Sequence, residues 1–331
     1  MNARRQPLQF NLDELTSQTP AMQRCLKLAR EAARSDLPLL LQGETGTGKT
    51  LLAHAIHLSS LRSDSTFVSF NASAMTDTLL ESQLFGHEKG AFTGANRKVI
   101  GKFPAAHEGT LFLDEIADMS PTAQAKILRA VEYGKFEPLG AEEMRYADVR
   151  VLSATNRPLR EWAQQGEFRQ DLYHRLNGIT LHIPALRDRR EDLPALIAME
   201  LQLCAQRADK TITALHPDAF NKLIAWDWPG NLRELHRVIQ TVVLFADGVV
   251  GPEHVMLDDS WEAPPTPAAK VTEPAIPETM ATEPDATLDA AILRHVVAVY
   301  ESTGRNKVKT AELLGISRAR LYRKLAALGE A

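Results

Sequence analysis

Between residue 17 and about residue 186, short apolar runs alternate with longer stretches of helical period. The runs Leu37 to Gln42, Thr66 to Asn71, Thr110 to Leu113, Val149 to Ala154 and Ile179 to Ile183 are rich in Leu, Ile, Val, Phe and Ala. Such runs suit strands buried on both faces, and their alternation with helices predicts an α/β fold with a parallel sheet. From Arg187 to about Leu257 the strand-like runs stop. Helical patterning, as at Asp192 to Gln206 and Asn231 to Phe245, predicts a small helical subdomain beside the sheet. Trp261 to Thr287 has no apolar period and holds six of the 18 prolines, the composition of a semi-extended linker. Helical patterning returns after it. The expected organisation is a short segment 1–16, an α/β subdomain 17–186, a helical lid 187–257, a Pro-rich linker 258–287 and an all-α domain 288–331.

With 331 residues, 24% of them charged, and a net charge of −4, disorder throughout is excluded. Lys and Arg total 38 against 42 Asp and Glu, so any surface for nucleic acid must be local. Cys25 and Cys204 lie far apart with no metal-ligand spacing around either, which argues against a disulfide framework. The N-terminus lacks a signal-peptide core, and no stretch approaches the ~18 apolar residues that span a bilayer. A cytoplasmic protein without membrane insertion is expected.

GETGTGKT, residues Gly43, Glu44, Thr45, Gly46, Thr47, Gly48, Lys49 and Thr50, follows one apolar run and opens a helix. The glycines let backbone N–H groups turn toward phosphate oxygens, and the helix N-terminus adds partial positive charge. Lys49 is expected to neutralise the β- and γ-phosphates of ATP, and Thr50 to hold Mg²⁺. Further on, GTLFLDE delivers Asp114 and Glu115 at the end of a buried run. Two adjacent acids there are costly unless used, which suits Asp114 as a Mg²⁺ ligand and Glu115 as the group polarising an attacking water. A solvated turn is the plainer alternative. Thr155 and Asn156 end another buried run, placed either to sense the γ-phosphate or to cap a helix. In GEFRQDLYHRL, Arg169 and Arg175 are surface charges or fingers reaching into a neighbour's site, and Asp171 is spaced to pair with Arg175.

ESQLFGHEKGAFTGA carries Gly90, Ala91, Phe92, Thr93, Gly94 and Ala95. An aromatic among flexible small residues suits a loop that grips another macromolecule, the alternative being Phe92 tucked under its own domain.

Together, GETGTGKT, ESQLFGHEKGAFTGA, GTLFLDE, FRQDLYHRL and WPGNLREL resemble the sigma-54-dependent transcription activators, the bacterial enhancer-binding proteins of the AAA+ superfamily. The resemblance spans roughly residues 17 to 255 and extends to the C-terminal tail. It implies an ATPase that assembles into a homo-oligomeric ring, a hexamer by expectation, with ATP between neighbouring subunits. It further implies that Arg169 and Arg175 act as fingers from the adjacent subunit, that Asn71 pairs with the second acid, Glu115, and that Arg233 is a nucleotide-sensing arginine in the lid. The loop Gly90 to Ala95 would contact sigma-54, with a second loop at about Glu137 to Tyr146 moving alongside, so that hydrolysis remodels the closed complex of sigma-54 RNA polymerase into the open one. Only about 16 residues precede Ser17, which resembles the subgroup without a regulatory domain, as in the phage-shock activator. Control by a regulatory protein in trans or by expression level is expected.

Between Thr303 and Ala331, seven Lys and Arg face two acids. A helix with Ala311 and Leu314 inward, a turn at Gly315, Ser317 as N-cap and a second helix with Leu321 and Leu325 inward give a helix-turn-helix resembling the Fis type. Ser317, Arg318, Ala319 and Tyr322 are placed for base edges of upstream enhancer DNA, and Arg320, Arg323 and Lys324 for phosphates. A solvated basic helix or a dimer contact is the alternative. A regulator that binds nucleotide and DNA but works by occupancy alone is the competing function; the intact GAFTGA, Glu115 and both arginines argue against it.

Overall fold

The computed structural model describes residues 10–73 and 75–257, together with 300, 306, 307, 309 and 310. The chain enters through helix α1 (Pro20–Ala33), then strand β1 (Leu39–Gln42), α2 (Lys49–Leu58), β2 (Phe67–Asn71) and α3 (Asp77–Phe85). A hairpin of β3 (Gly86–His87) and β4 (Val99–Ile100) follows, then α4 (Lys102–Ala105), β5 (Thr110–Asp114) and α5 (Pro121–Tyr133). A second hairpin, β6 (Lys135–Phe136) with β7 (Arg145–Tyr146), precedes β8 (Arg150–Thr155), α6 (Leu159–Gln165), α7 (Gln170–Leu176) and β9 (Ile179–His182). The lid comprises α8 (Leu193–Arg207), β10 (Ala214–Leu215), α9 (Pro217–Ala225), α10 (Asn231–Phe245) and β11 (Val249–Val250).

The five long strands form one parallel sheet in the order β2-β5-β8-β1-β9. Alternate residues pack on opposite faces, as the pleat requires. Leu40, Leu111, Leu113 and Val151 meet α3, α5 and α7 on one side, whereas Leu39, Leu41, Phe112, Leu152 and Leu181 meet α1 and α2 on the other. Arg150, at the start of β8, is buried and donates to the carbonyls of Ala32 (2.8 Å) and Ala33 (3.3 Å), closing the C-terminus of α1. A cation there satisfies orphan carbonyls and the negative end of the helix.

The lid has its own core, in which Ile197, Leu201 and Cys204 of α8 pack with Leu235, Val238, Ile239 and Val242 of α10. It is not wholly helical, because β10 and β11 pair in parallel. Two residues per strand are too few for a periodicity to register. Among the described residues, no helix is long and apolar enough to cross a membrane.

Candidate functional site

The loop after β1 turns on Gly46 (φ 83°) and Gly48 (φ 100°), both in the left-handed region, and α2 starts at Lys49. Gly46 has a second reason to lack a side chain. A β-carbon there would run into the carbonyl of Gly230 and lie 3.2 Å from Cβ of Arg233, so the lid rests directly on the loop. Lys49 is only 6% exposed; its Nζ donates to the carbonyls of Gly43 (3.0 Å) and Glu44 (3.2 Å) and stands 3.7 Å from Glu115 Oε1. Thr50 is exposed at the mouth of the loop. Left-handed glycines, a buried lysine and a helix N-terminus form a donor set that fits a nucleotide triphosphate.

β5 carries Asp114 and Glu115 to the same edge. Asp114 Oδ1 accepts from the Glu115 N–H (3.1 Å), and Glu115 itself adopts φ 51°, ψ 49°. A non-glycine residue there costs on the order of 1–3 kcal/mol, and such strain clusters where geometry is functional. Asn156 ties the site together, donating through its backbone N–H to Glu115 Oε2 (3.3 Å) and through Nδ2 to Thr45 Oγ1 (3.1 Å). Thr155 is buried, its Oγ1 accepting from the Arg157 N–H (3.0 Å), which is a turn-capping role. Asn71 sits opposite Asp114 in the β2–β5 register, but its amide oxygen accepts from the backbone and hydroxyl of Ser73 rather than reaching Glu115.

Asp171 does not pair with Arg175, as helical spacing predicts, but with Arg169. Asp171 grips Arg169 through two bonds (3.1 and 2.7 Å), because Arg169 is the extended N-cap residue of α7 and folds back over the first turn. Arg175 instead donates to the carbonyl of Glu132 (3.0 Å) in the last turn of α5. These bonds keep both arginines at the α5–α7 edge of their own chain.

Sequence reasoning missed the residue that joins lid to loop. Asn231 is fully buried at φ 54°. Its Oδ1 accepts from the Leu186 N–H (2.7 Å), and its Nδ2 donates to Glu44 Oε2 (3.2 Å) and to the Thr45 carbonyl (3.1 Å). Leu232 N–H adds a bond to the Gly46 carbonyl (3.0 Å), and Arg189 donates to the Thr47 carbonyl (3.3 Å). Arg187 pairs with the Glu44 carboxylate through both terminal nitrogens. That hydrogen-bonded guanidinium holds Glu44 below the usual carboxylate range, with Asn231 assisting and partial burial opposing. The Glu44 side chain therefore serves the lid, not the phosphate cradle. Arg233 is exposed beside Gly46, on the loop side of α10.

Gly90 to Ala95 forms a loop between β3 and β4, closed by Gly90 N–H to the Ala95 carbonyl (2.9 Å) and Ala95 N–H to the Phe92 carbonyl (3.0 Å). Gly90 and Gly94 are both left-handed, and a β-carbon at either would meet nothing within 4 Å. Thr93 is exposed, but Phe92 is half-buried, its ring edge-on to His87 at 5.0 Å between centroids. This edge-on contact with a residue of β3 covers part of the ring at the tip. The second hairpin touches this loop: Glu88 N–H donates to the Leu139 carbonyl (3.0 Å), Arg145 pairs with Glu88 (2.6 Å), and a β-carbon on Gly140 would stand 2.8 Å from Cβ of Ala91.

A doubly wrapped parallel sheet, a phosphate loop, paired acids at the end of the neighbouring strand but one and a helical lid seated on the loop together define a P-loop ATPase of the AAA+ class. Residues 15–182 match the sigma-54 interaction domain, 187–269 the AAA+ ATPase lid domain, and 294–328 the Fis family of bacterial regulatory proteins. The transcriptional regulatory protein ZraR of Escherichia coli strain K12 is 40% identical over 313 residues, covering 94% of this chain and 68% of that one. The Nif-specific regulatory protein of Enterobacter agglomerans is 39% identical, covering 94% and 59%. The crystal structure of NtrX from Brucella abortus in complex with ATP aligns with a TM-score of 0.65 at 32% identity, covering 96% and 69%. The chain belongs to the sigma-54-dependent transcriptional activators. The Fis-type segment holds Ser317, Arg318, Ala319, Arg320, Tyr322, Arg323 and Lys324, which lie outside the described residues.

Proposed function

We propose that this protein binds upstream DNA through residues 288–331, assembles into a ring, and uses ATP hydrolysis to drive the Gly90–Ala95 loop against sigma-54 RNA polymerase. The observation that carries the reading is topological. β2 ends at Asn71, in register with Asp114, and the chain then runs through α3 into the hairpin that bears the loop. A change beside the two acids thus has a short covalent route to Thr93.

Within the site, Lys49 leaves its carbonyl partners to meet phosphate oxygens, and Glu115, already held by Asn156, orients and deprotonates water. Thr50 and Asp114 would hold Mg²⁺, which supplies charge neutralisation on the phosphates. Arg169 and Arg175 act on the neighbouring subunit's nucleotide, Arg233 on its own. Asn71 exchanges Ser73 for Glu115 as the nucleotide changes, and the second hairpin follows the first through Glu88 and Gly140. The motion is driven only by differential affinity of the raised and lowered loop for the nucleotide states.

The test is open-complex formation on a sigma-54 promoter, run beside ATPase assays. Lys49→Ala and Glu115→Gln should lower hydrolysis by at least about 100-fold, whereas Thr93→Ala should hydrolyse ATP normally and yield no open complexes. Full activation by Thr93→Ala, or equal activation of polymerase carrying the housekeeping sigma factor, would overturn the reading.

A further inference from the structure

The lid holds a second cluster of chemistry-bearing side chains that the ATP site does not use. Glu200 and Cys204 are four residues apart on α8, so they share a face one helical turn apart. α10 brings His236 against that face. One donor atom from each of the three lies within 4.8 Å of the others, and His236 Nδ1 is 2.7 Å from Glu200 Oε2. Cys204 is buried, while Glu200 and His236 are partly exposed, so the cluster opens to solvent on one side.

A glutamate–histidine pair alone would be an ordinary surface contact. The thiol changes the chemistry, because sulfur, imidazole nitrogen and carboxylate oxygen together match a borderline-soft divalent ion far better than Mg²⁺ or Ca²⁺. Metal bonds of about 2.0 Å to nitrogen and 2.3 Å to sulfur set tetrahedral donors about 3.5 Å apart, so a bound ion would draw the more distant donors inward and part the hydrogen-bonded His236–Glu200 pair. We propose that Glu200, Cys204 and His236 form a three-ligand site for a divalent cation of the Zn²⁺ class, with the fourth position open, that staples α8 to α10. The expected consequence is a stiffer lid, since α10 begins at Asn231, the residue that grips the phosphate loop. The inference is independent of sigma-54 activation.

Burial, reinforced by the nearby Glu200 carboxylate and opposed by Arg207, pushes the Cys204 thiol up to about 11. At neutral pH the thiol is therefore protonated, and the cation binds by exchange: the S–H bond breaks, the S–metal bond forms and one proton is released to solvent.

The test is Co²⁺ titration of the reduced, chelator-stripped full chain without nucleotide, followed by near-ultraviolet thiolate-to-cobalt absorption. Co²⁺ at Thr50 and Asp114 gives no such band, because no sulfur is present there. The expected result is one equivalent per chain with the band, competed by Zn²⁺, retained in Cys25→Ser and lost in Cys204→Ser. His236→Gln, at a partly exposed position where folding should be unaffected, should weaken binding by more than about 100-fold. One equivalent of Zn²⁺ should also raise the unfolding midpoint of the wild type but not of His236→Gln. No band in the wild type, a band surviving in Cys204→Ser, wild-type affinity in His236→Gln, or a band lost with Cys25 would overturn the proposal.

Discussion

Replacing Asn231 by alanine tests whether the lid is part of the nucleotide site or merely packed beside it. The substitution strips a partner from the buried Leu186 N–H and ends the bonds to Glu44 and to the Thr45 carbonyl. One buried donor left unsatisfied costs about 1–3 kcal/mol. Alanine at φ 54° adds about 1 kcal/mol, because asparagine tolerates the left-handed region better. The docked lid therefore loses about 2–4 kcal/mol. Since 1.4 kcal/mol is a factor of ten, and apparent affinity scales with the fraction of molecules whose lid is docked, nucleotide binding must weaken. The Leu232–Gly46 bond and the Glu44–Arg187 pair remain, so the expected loss is about tenfold rather than the full factor. Asn231→Gly removes the same hydrogen bonds without the backbone penalty and should fall between alanine and wild type. The assay is titration with a fluorescent ADP analogue, paired with thermal unfolding. If both variants unfold earlier yet bind the analogue as tightly as wild type, the clasp is structural only and the reasoning fails.

The Glu44–Arg187 pair should make lid docking acid-sensitive. Glu44 sits below its ordinary value of 4.5 when docked, so its stabilisation is complete above that ordinary value and is lost as pH falls through the lower docked value. Unfolding midpoints of wild type and Glu44→Gln should differ at pH 7 and converge only as pH falls through the lowered docked value of Glu44; a gap independent of pH would count against the pair. Gly140→Ala should separate the two hairpins, since its β-carbon would stand 2.8 Å from Cβ of Ala91 at φ 72°. Hydrolysis should persist while open-complex formation drops severalfold, and unchanged activation would show that the hairpins act separately.

The sheet was legible because its strands are buried on both faces: the observed spans of β1, β2, β5, β8 and β9 fall within two residues of the apolar runs. The phosphate loop and the paired acids were legible for a related reason, since glycine spacing and acids at the end of an apolar run carry their chemistry in composition alone. What escaped was long-range pairing. Asn231 lies 187 residues from the Glu44 carboxylate it meets, and nothing local announces that contact, although Asn after Gly is itself a signal for left-handed backbone. Asp171 shows the complementary error. Helical spacing favoured Arg175, but the preceding Arg169 lies outside the helix, where i, i+4 rules do not apply. Cys204 failed as a ligand candidate for the same reason, since only the packing of α8 on α10 supplies His236.

Two non-glycine residues with left-handed backbone belong to this site, Glu115 beside the acids and Asn231 in the lid. Glu115 at φ 51° is held by Asn156, and Asn231 at φ 54° is held by Leu186 and the phosphate loop. Each conformation persists only because side-chain bonds over-determine it. Loss of those bonds therefore releases strain as well as contacts, so the acid and the lid can each let go at a smaller net cost than their hydrogen bonds suggest. Lys49 is bonded to the loop carbonyls and stands 3.7 Å from Glu115. A phosphate that draws Lys49 away from those carbonyls changes the charge beside Glu115, and an interaction that differs in this way between nucleotide states is what a nucleotide-driven change of loop position requires.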